Sequence, residues 1–364
     1  MPNYPVAKID LAALRHNLSR VKQLAPNSLI MSVIKANAYG HGANEVAHAL
    51  VASDAFAVAR LDEGLRLRKA GISKPIVILE GVNTQADLHK AAEQSLSLVF
   101  HHDSQIKVLM STELKSPLSL CWLMVETGMY RLGLPMDKAT NALEQLSTSS
   151  NIVDQVGIMS HFANADTIGD PRNMQQLASL KQWITQDNIP TSMANSAAIL
   201  SYPESHGDWL RPGLMLYGIS PFEDQSAKDL DLKPVMKLQS KITAIQNIKP
   251  GDQVGYGGDW TAKQETQIAI VSIGYGDGYN RQLSNKASVM VQGQVAAVIG
   301  RVSMDMIAID ITNVSSVNVG DIVTLWGDDN LAVETLAELA NTIPYELVCQ
   351  VSERVIREYK HGEA

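Results

Sequence analysis

The sequence predicts an α/β chain in which an eight-stranded parallel β/α barrel of the TIM type is followed by a β-rich C-terminal domain. Three observations carry that expectation. At 364 residues the chain exceeds the size at which a single hydrophobic core usually stops growing, so two domains are expected. Up to residue 230, short apolar runs alternate with stretches of helical periodicity, the pattern of a parallel sheet buried on both faces. From residue 231 onward the runs are β-branched and separated mostly by turns.

Taken in order, the first element is an amphipathic helix. Leu11, Leu14, Leu18, Val21 and Leu24 recur at helical spacing behind Asp10, a good N-cap, and Pro26 follows the run. SLIMSVIK then reads as a buried strand ending at Lys35, NAYGHG as a turn, and the residues around Val46 and Leu50 as a second helix. The strands continue as AFAVA, PIVILEG, LSLVF, LSLCWLMVE, VDQVGIMSH, TSMAN and GLMLYG, with helical stretches such as LDEGLRLRKAG and PRNMQQLASLKQWITQDN between them. Eight such units suit a closed barrel over residues 1–230. Residues 231–364 supply VMKLQSKITAIQNI, QIAIVSIGYG, ASVMVQGQVAAVIG and MIAIDIT as strands, with one helix near Val333 to Leu339.

Composition narrows the function. The formal net charge of -8 comes without any basic stripe, so nucleic acid is not an expected partner. The opening MPNYPVAKIDLAALRHN lacks a signal-peptide core, and no 18 apolar residues run together, which points to a cytoplasmic protein without a membrane span. Cys121 and Cys349 sit among apolar neighbours and read as buried, reduced thiols. The nine histidines form no ligand pattern, so no metal is expected.

Catalytic groups of a β/α barrel come from the C-terminal ends of its strands. Those ends carry Lys35 and Tyr39, then Arg131, then His161, then Asn195 and Ser196, and then Arg211 with Gly213. A lysine ending a strand is ordinarily a solvated cation. Here the apolar strand before Lys35 and the glycines after it argue for a desolvated amine with a lowered pKa, able to act as a nucleophile.

The segments VIKANAYGHG, ETGMYRLG, SHFANAD, NSAA, RPGLMLYG, VGYGG, IGYGDGY and RVSMDM occur in the order found in alanine racemases, and the chain resembles that family over nearly its whole length. The resemblance implies a pyridoxal 5'-phosphate enzyme that interconverts L-alanine and D-alanine by a two-base mechanism and supplies D-alanine for peptidoglycan of the bacterial cell wall. It also implies a homodimer whose active sites draw on both chains. In that scheme Lys35 holds the cofactor as a Schiff base and Tyr256, from the partner subunit, is the second acid-base group. An ordinary tyrosine has a pKa of about 10, so a base at Tyr256 needs a nearby cation.

By the same resemblance Arg211 contacts the cofactor ring nitrogen and His161 orients Arg211. Tyr39, Ser196, Gly213, Leu214 and Tyr345 hold the phosphate. Arg131 contacts the substrate carboxylate, as does the backbone at Met304 and Asp305 of the partner. Asp166 and Tyr275 line the entrance. The family pattern is broken at Met124, where many members carry a carbamylated lysine that orients the arginine; methionine offers only a weak acceptor. A chloride ion, or a displaced carboxylate, near Met124 is the expected counter-charge for Arg131. Other readings are a broader-specificity amino-acid racemase, a decarboxylase on the same barrel, whose C-terminal catalytic segment is missing, and a non-catalytic carrier of the cofactor. The second domain would be unexplained in a carrier.

Overall fold

The computed structural model describes residues 4–185, 188–328 and 330–361. Strand β1 (Val6–Asp10) leads into helix α1 (Leu11–Leu24), whose first free N–H groups, on Ala12 and Ala13, are both accepted at 2.9 Å by the Asp10 side chain. The helix buries Leu11, Leu14, Leu18 and Val21, each worth about 1.5–3 kcal/mol of transfer free energy. Its buried Asn17 is fully used: the amide donates to Leu216 O and Lys233 O and accepts from Lys233 N. Replacing Asn17 with leucine would strand those three backbone groups in the interior.

Eight short parallel strands then close a barrel: β2 (Leu29–Val33), β3 (Ala55–Val58), β4 (Ile76–Ile78), β5 (Ser97–Phe100), β6 (Trp122–Met124), β7 (Gly157–Met159), β8 (Thr191–Ser192) and β9 (Trp209–Leu210). Closure is made where Leu29 pairs with Trp209 and Ile30 with Leu210. Apart from exposed Leu29 at the start of β2, the strands are almost wholly buried, which is why they read as continuous apolar runs. Gly157 has a steric reason: a Cβ there would lie 2.5 Å from the Trp122 ring.

The second half builds an eight-stranded sheet around the long strand Met236–Ile248, which pairs antiparallel with β1, with Ile322–Trp326 and with Thr266–Val271. Its edge strand Ile356–Lys360 runs parallel to β1.

Three features depart from the sequence expectation. GLMLYG is not the eighth barrel strand: Leu214–Tyr217 is a 3-10 turn closed by Gly218 in the left-handed region, and Trp209–Leu210 takes the strand's place. An apolar run of that length carries no periodicity to separate strand from turn. Strand β1, which the sequence reading did not include, joins the eight-stranded sheet of the second half. A second helix, Pro344–Cys349, follows Val333–Leu339, and Cys349 at its end is exposed rather than buried. No helix among the described residues is long and apolar enough to cross a membrane.

Candidate active site

Lys35 follows β2 by two residues and begins a short turn whose hand is unusual. Ala36, Asn37, Ala38 and Tyr39 all adopt positive φ, between 51° and 54°. The left-handed conformation expected of the neighbouring glycines is therefore carried mainly by residues with side chains, at a cost of about 1–2 kcal/mol each. Surrounding groups hold the turn. Glu63 accepts from Ala36 N at 2.7 Å, and its other oxygen accepts from Ala59 N and Arg60 N. The Asn37 side chain accepts from Ala43 N, and the buried His41 ring bonds the Tyr39 carbonyl at 2.8 Å. From the second domain, Arg357 donates to Gly40 O at 2.7 Å, and a Cβ on Gly40 would lie only 2.1 Å from Val348 O.

The Lys35 amine is partly buried. Burial pushes its pKa below the ordinary lysine value, and the Arg131 guanidinium lowers it further, against the opposing pull of Glu63. Arg131 itself is exposed and makes no hydrogen bond or ion pair with the described residues. The carboxylate on its own loop is committed elsewhere: Glu126 accepts from Gly128 N, from Met129 N at 2.7 Å and from Tyr130 N at 2.8 Å. Met124, the last residue of β6, is buried, and its carbonyl accepts from Leu134 N at the far end of that loop.

Arg211 follows β9 and is buried. It donates to Ser192 Oγ at 2.6 Å, to the Ser160 carbonyl, and to His161 Nδ1 at 3.1 Å, while its Nε–H makes no hydrogen bond with the described residues. Burial, and then Arg131, push its pKa down to about 9. His161 is held well below its ordinary value by burial and by the cations Arg211, Arg131 and Lys35, so it is a neutral imidazole accepting at Nδ1.

Beside this pair lies a group of hydroxyls and amides. Ser196 Oγ accepts from Gly213 N at 2.9 Å and from Met215 N at 3.2 Å. The Leu214 N–H, buried between them in sequence, has no acceptor among the described residues. Tyr39 is buried with its hydroxyl against Gly213, where a Cβ would stand 2.7 Å away. Its ring packs on Tyr217 at 4.8 Å and faces Tyr345 at 6.0 Å. Burial and the nearby Asp166 carboxylate raise the Tyr345 pKa to about 12.

The remaining expected residues lie together on the second domain. Tyr256 is 71 % exposed in a turn between the paired segments Gln253–Val254 and Trp260–Thr261. Tyr275 N donates to Ser303 O and Gly276 N to Met304 O, which brings the IGYGDGY and RVSMDM segments into contact. Arg354 fastens both, reaching Asp305 at 2.7 Å and Asp277 at 3.4 Å. Within one chain no hydrogen bond or ring contact joins Tyr256, Tyr275 or Met304 to Lys35 or Arg211 among the described residues. There are thus two separate clusters: one at the barrel mouth, one on the exposed face of the sheet domain.

Sequence reasoning missed Glu63, Ser160, Ser192, Gln176, Arg354 and Arg357. Glu63 had a signal, standing three residues into a helix where a carboxylate reaches back to free N–H groups. The others each have a partner distant in sequence and gave none.

Comparison with known proteins agrees over both halves of the chain. Residues 9–221 match the family described as alanine racemase, N-terminal domain, and residues 235–359 match alanine racemase, C-terminal domain. The alanine racemase of Nitrosococcus oceani is 46% identical over 355 residues, covering 98% of this chain and 99% of that protein. That of Aeromonas hydrophila is 43% identical over 354 residues, covering 97% and 99%. Among solved structures, the biosynthetic alanine racemase of Pseudomonas aeruginosa superposes with a TM-score of 0.94 at 40% identity, covering 99% of this chain and 100% of that one.

Proposed function

The chain belongs to the alanine racemase family, and from that premise we propose that it interconverts L-alanine and D-alanine with pyridoxal 5'-phosphate bound at Lys35, in a homodimer whose sites are shared between chains. The observation that carries this reading is the state of Lys35: an amine at a barrel mouth, on a strained turn, with its pKa lowered by burial and by a neighbouring cation.

The residues present fit the cofactor. Its aldehyde carbon requires a neutral amine, a form that the lowered pKa of Lys35 favours. Its phosphate requires converging hydroxyls and N–H groups, which Tyr39, Ser196, Gly213 and Leu214 offer, with Tyr345 alongside. Its ring nitrogen requires a donor, and Arg211 has a free Nε–H. When bound, the cofactor supplies the electron sink that acidifies the substrate Cα–H.

The protein does the rest. Lys35 Nζ takes or gives a proton on one face of the substrate Cα, and the hydroxyl of Tyr256 of the partner subunit does so on the other, so that inversion needs no movement of a single base. Arg211 remains a cation without a carboxylate partner among the described residues, which disfavours a protonated ring nitrogen and moderates the electron sink. His161, kept neutral, fixes the guanidinium plane. Arg131 binds the substrate carboxylate, assisted by the backbone at Met304 and Asp305 of the partner subunit; Asp166 and Tyr275 narrow the entrance. Because Glu126 is already committed to three N–H groups, chloride rather than a carboxylate is the counter-charge for Arg131 beside Met124. We assign the enzyme to the cytoplasm, where it supplies D-alanine for peptidoglycan.

The test is a racemisation assay on a panel of amino acids with the purified, cofactor-loaded protein. Alanine should turn over fastest; absence of racemisation with alanine overturns the reading. Activity should also rise with chloride over the millimolar range in halide-free buffer. A flat response removes the chloride assignment and leaves the rest standing.

A further inference from the structure

Arg131 is a long, exposed side chain with no ion-pair partner among the described residues, so its aim depends on the loop beneath it. That loop is internally closed. Glu126 N donates to Leu134 O and Leu134 N to Met124 O, both at 2.9 Å, and the Glu126 carboxylate gathers the three N–H groups at the tip. Such a unit moves as one body. What needs explaining is the attachment that fixes its tilt relative to the segment after β7, which carries His161 and Asp166.

The attachment centres on Gln176, a buried residue of the helix Pro171–Trp183. Its Oε1 accepts from Ala163 N at 3.0 Å; its Nε2 donates to His161 O at 3.0 Å and to Thr127 Oγ1 at 3.1 Å. The amide orientation is fixed, since Ala163 N–H can only donate and the His161 carbonyl can only accept. Direction then propagates. Ser160 spends its one hydroxyl hydrogen on Val125 O at 2.9 Å, so the 2.8 Å contact between Thr127 and Ser160 is donated by Thr127. The Ser160 carbonyl in turn accepts from Arg211. Gly128 makes room, because a Cβ there would press to 3.3 Å from Gln176 Cγ.

We propose that Gln176 is a positioning residue for the reaction: through one saturated amide it locks the loop bearing Arg131 to the segment bearing His161, and through Thr127 and Ser160 to Arg211. It touches neither substrate nor cofactor. Its effect is to hold two cations at a fixed separation without a carboxylate between them, a geometry that mutual repulsion opposes.

The inference rests on the racemase reading, so its test has one arm independent of activity. In Gln176→Leu, amide hydrogen exchange should speed up in residues 125–134 and 161–166 while the sheet domain is unchanged, in apoprotein and holoenzyme alike. In the holoenzyme the KM for alanine should rise about tenfold with a much smaller change in kcat, as for loss of one buried hydrogen-bonded link. Thr127→Val, which keeps the volume, should shift KM in the same direction, and the double variant should be little worse than the worse single one. If Gln176→Leu fails to fold, Thr127→Val with the exchange measurement carries the test. Unchanged exchange in both segments, or a loss of stability with KM unmoved, overturns the proposal. Failure of the wild type to racemise alanine, with exchange behaving as stated, overturns the activity and not the lock.

Discussion

The Arg131 guanidinium makes a protonated Lys35 more costly. Burial is the larger cause of the lowered Lys35 pKa and Arg131 the second, so removing the guanidinium should raise the lysine back toward its ordinary value. In Arg131→Gln apoprotein the pH at which Lys35 becomes reactive toward a small acylating reagent should move upward; an unchanged or lowered midpoint would mean the two charges do not sense each other. In the proposed reaction the consequence is a smaller fraction of neutral amine at neutral pH. At this scale the sequence was informative where a residue's role follows from its flanks. Lys35 stood at the end of an apolar strand and Arg211 opened a glycine-containing run, and both lie at the barrel mouth. Gln176 was illegible because its three partners come from two segments distant in sequence and two of them are backbone groups. Met124 was legible as a departure, but the commitment of Glu126 to its own loop needed coordinates.

The element that decides the site is the left-handed turn after β2. Four residues with positive φ cost about 4–8 kcal/mol together, and the turn persists because Glu63, His41 and the second domain surround it. Gly40 is its tightest point. Gly40→Ala should therefore destabilise the protein by about 3 kcal/mol or more, since the new Cβ would overlap Val348 O in addition to straining the backbone. Gly71 is the control, with φ of +85° and nothing within 4 Å of a Cβ, so Gly71→Ala should cost only about 1 kcal/mol. Denaturant midpoints compare them, and equal losses would show that the contact with the second domain is not what holds the turn. NAYGHG was read as a turn from its composition, but the assignment of its strain to alanines and a tyrosine was not readable. Propensity describes a residue's preference, and here tertiary contacts overrule it. GLMLYG failed as a strand for a related reason: burial on every side looks alike in a strand and in a 3-10 turn.

At the scale of the whole molecule, the two separate clusters define an experiment. If Lys35 of one chain meets Tyr256 of the partner subunit, then Lys35→Ala and Tyr256→Phe homodimers are each inactive, yet mixing them with subunit exchange restores one intact site per heterodimer. Random pairing across a two-fold interface should return roughly a quarter of wild-type activity. No recovery after verified exchange would place both groups in one chain. Exposed Tyr256, Tyr275, Met304 and Met306 give this face the apolar character an interface core requires. The alternation of strands and helices made the barrel legible, and the change of texture revealed the sheet domain. The placement of β1 was hidden, because a short strand does not announce which sheet it will join. That placement has a consequence for how the protein is made. On the ribosome Val6–Asp10 emerges more than two hundred residues before either of its neighbours, Met236–Ile248 and Ile356–Lys360. The nascent barrel can close while β1 waits with an open edge, and the left-handed turn after Lys35 is clamped only when Ile356–Lys360 and Arg357 arrive.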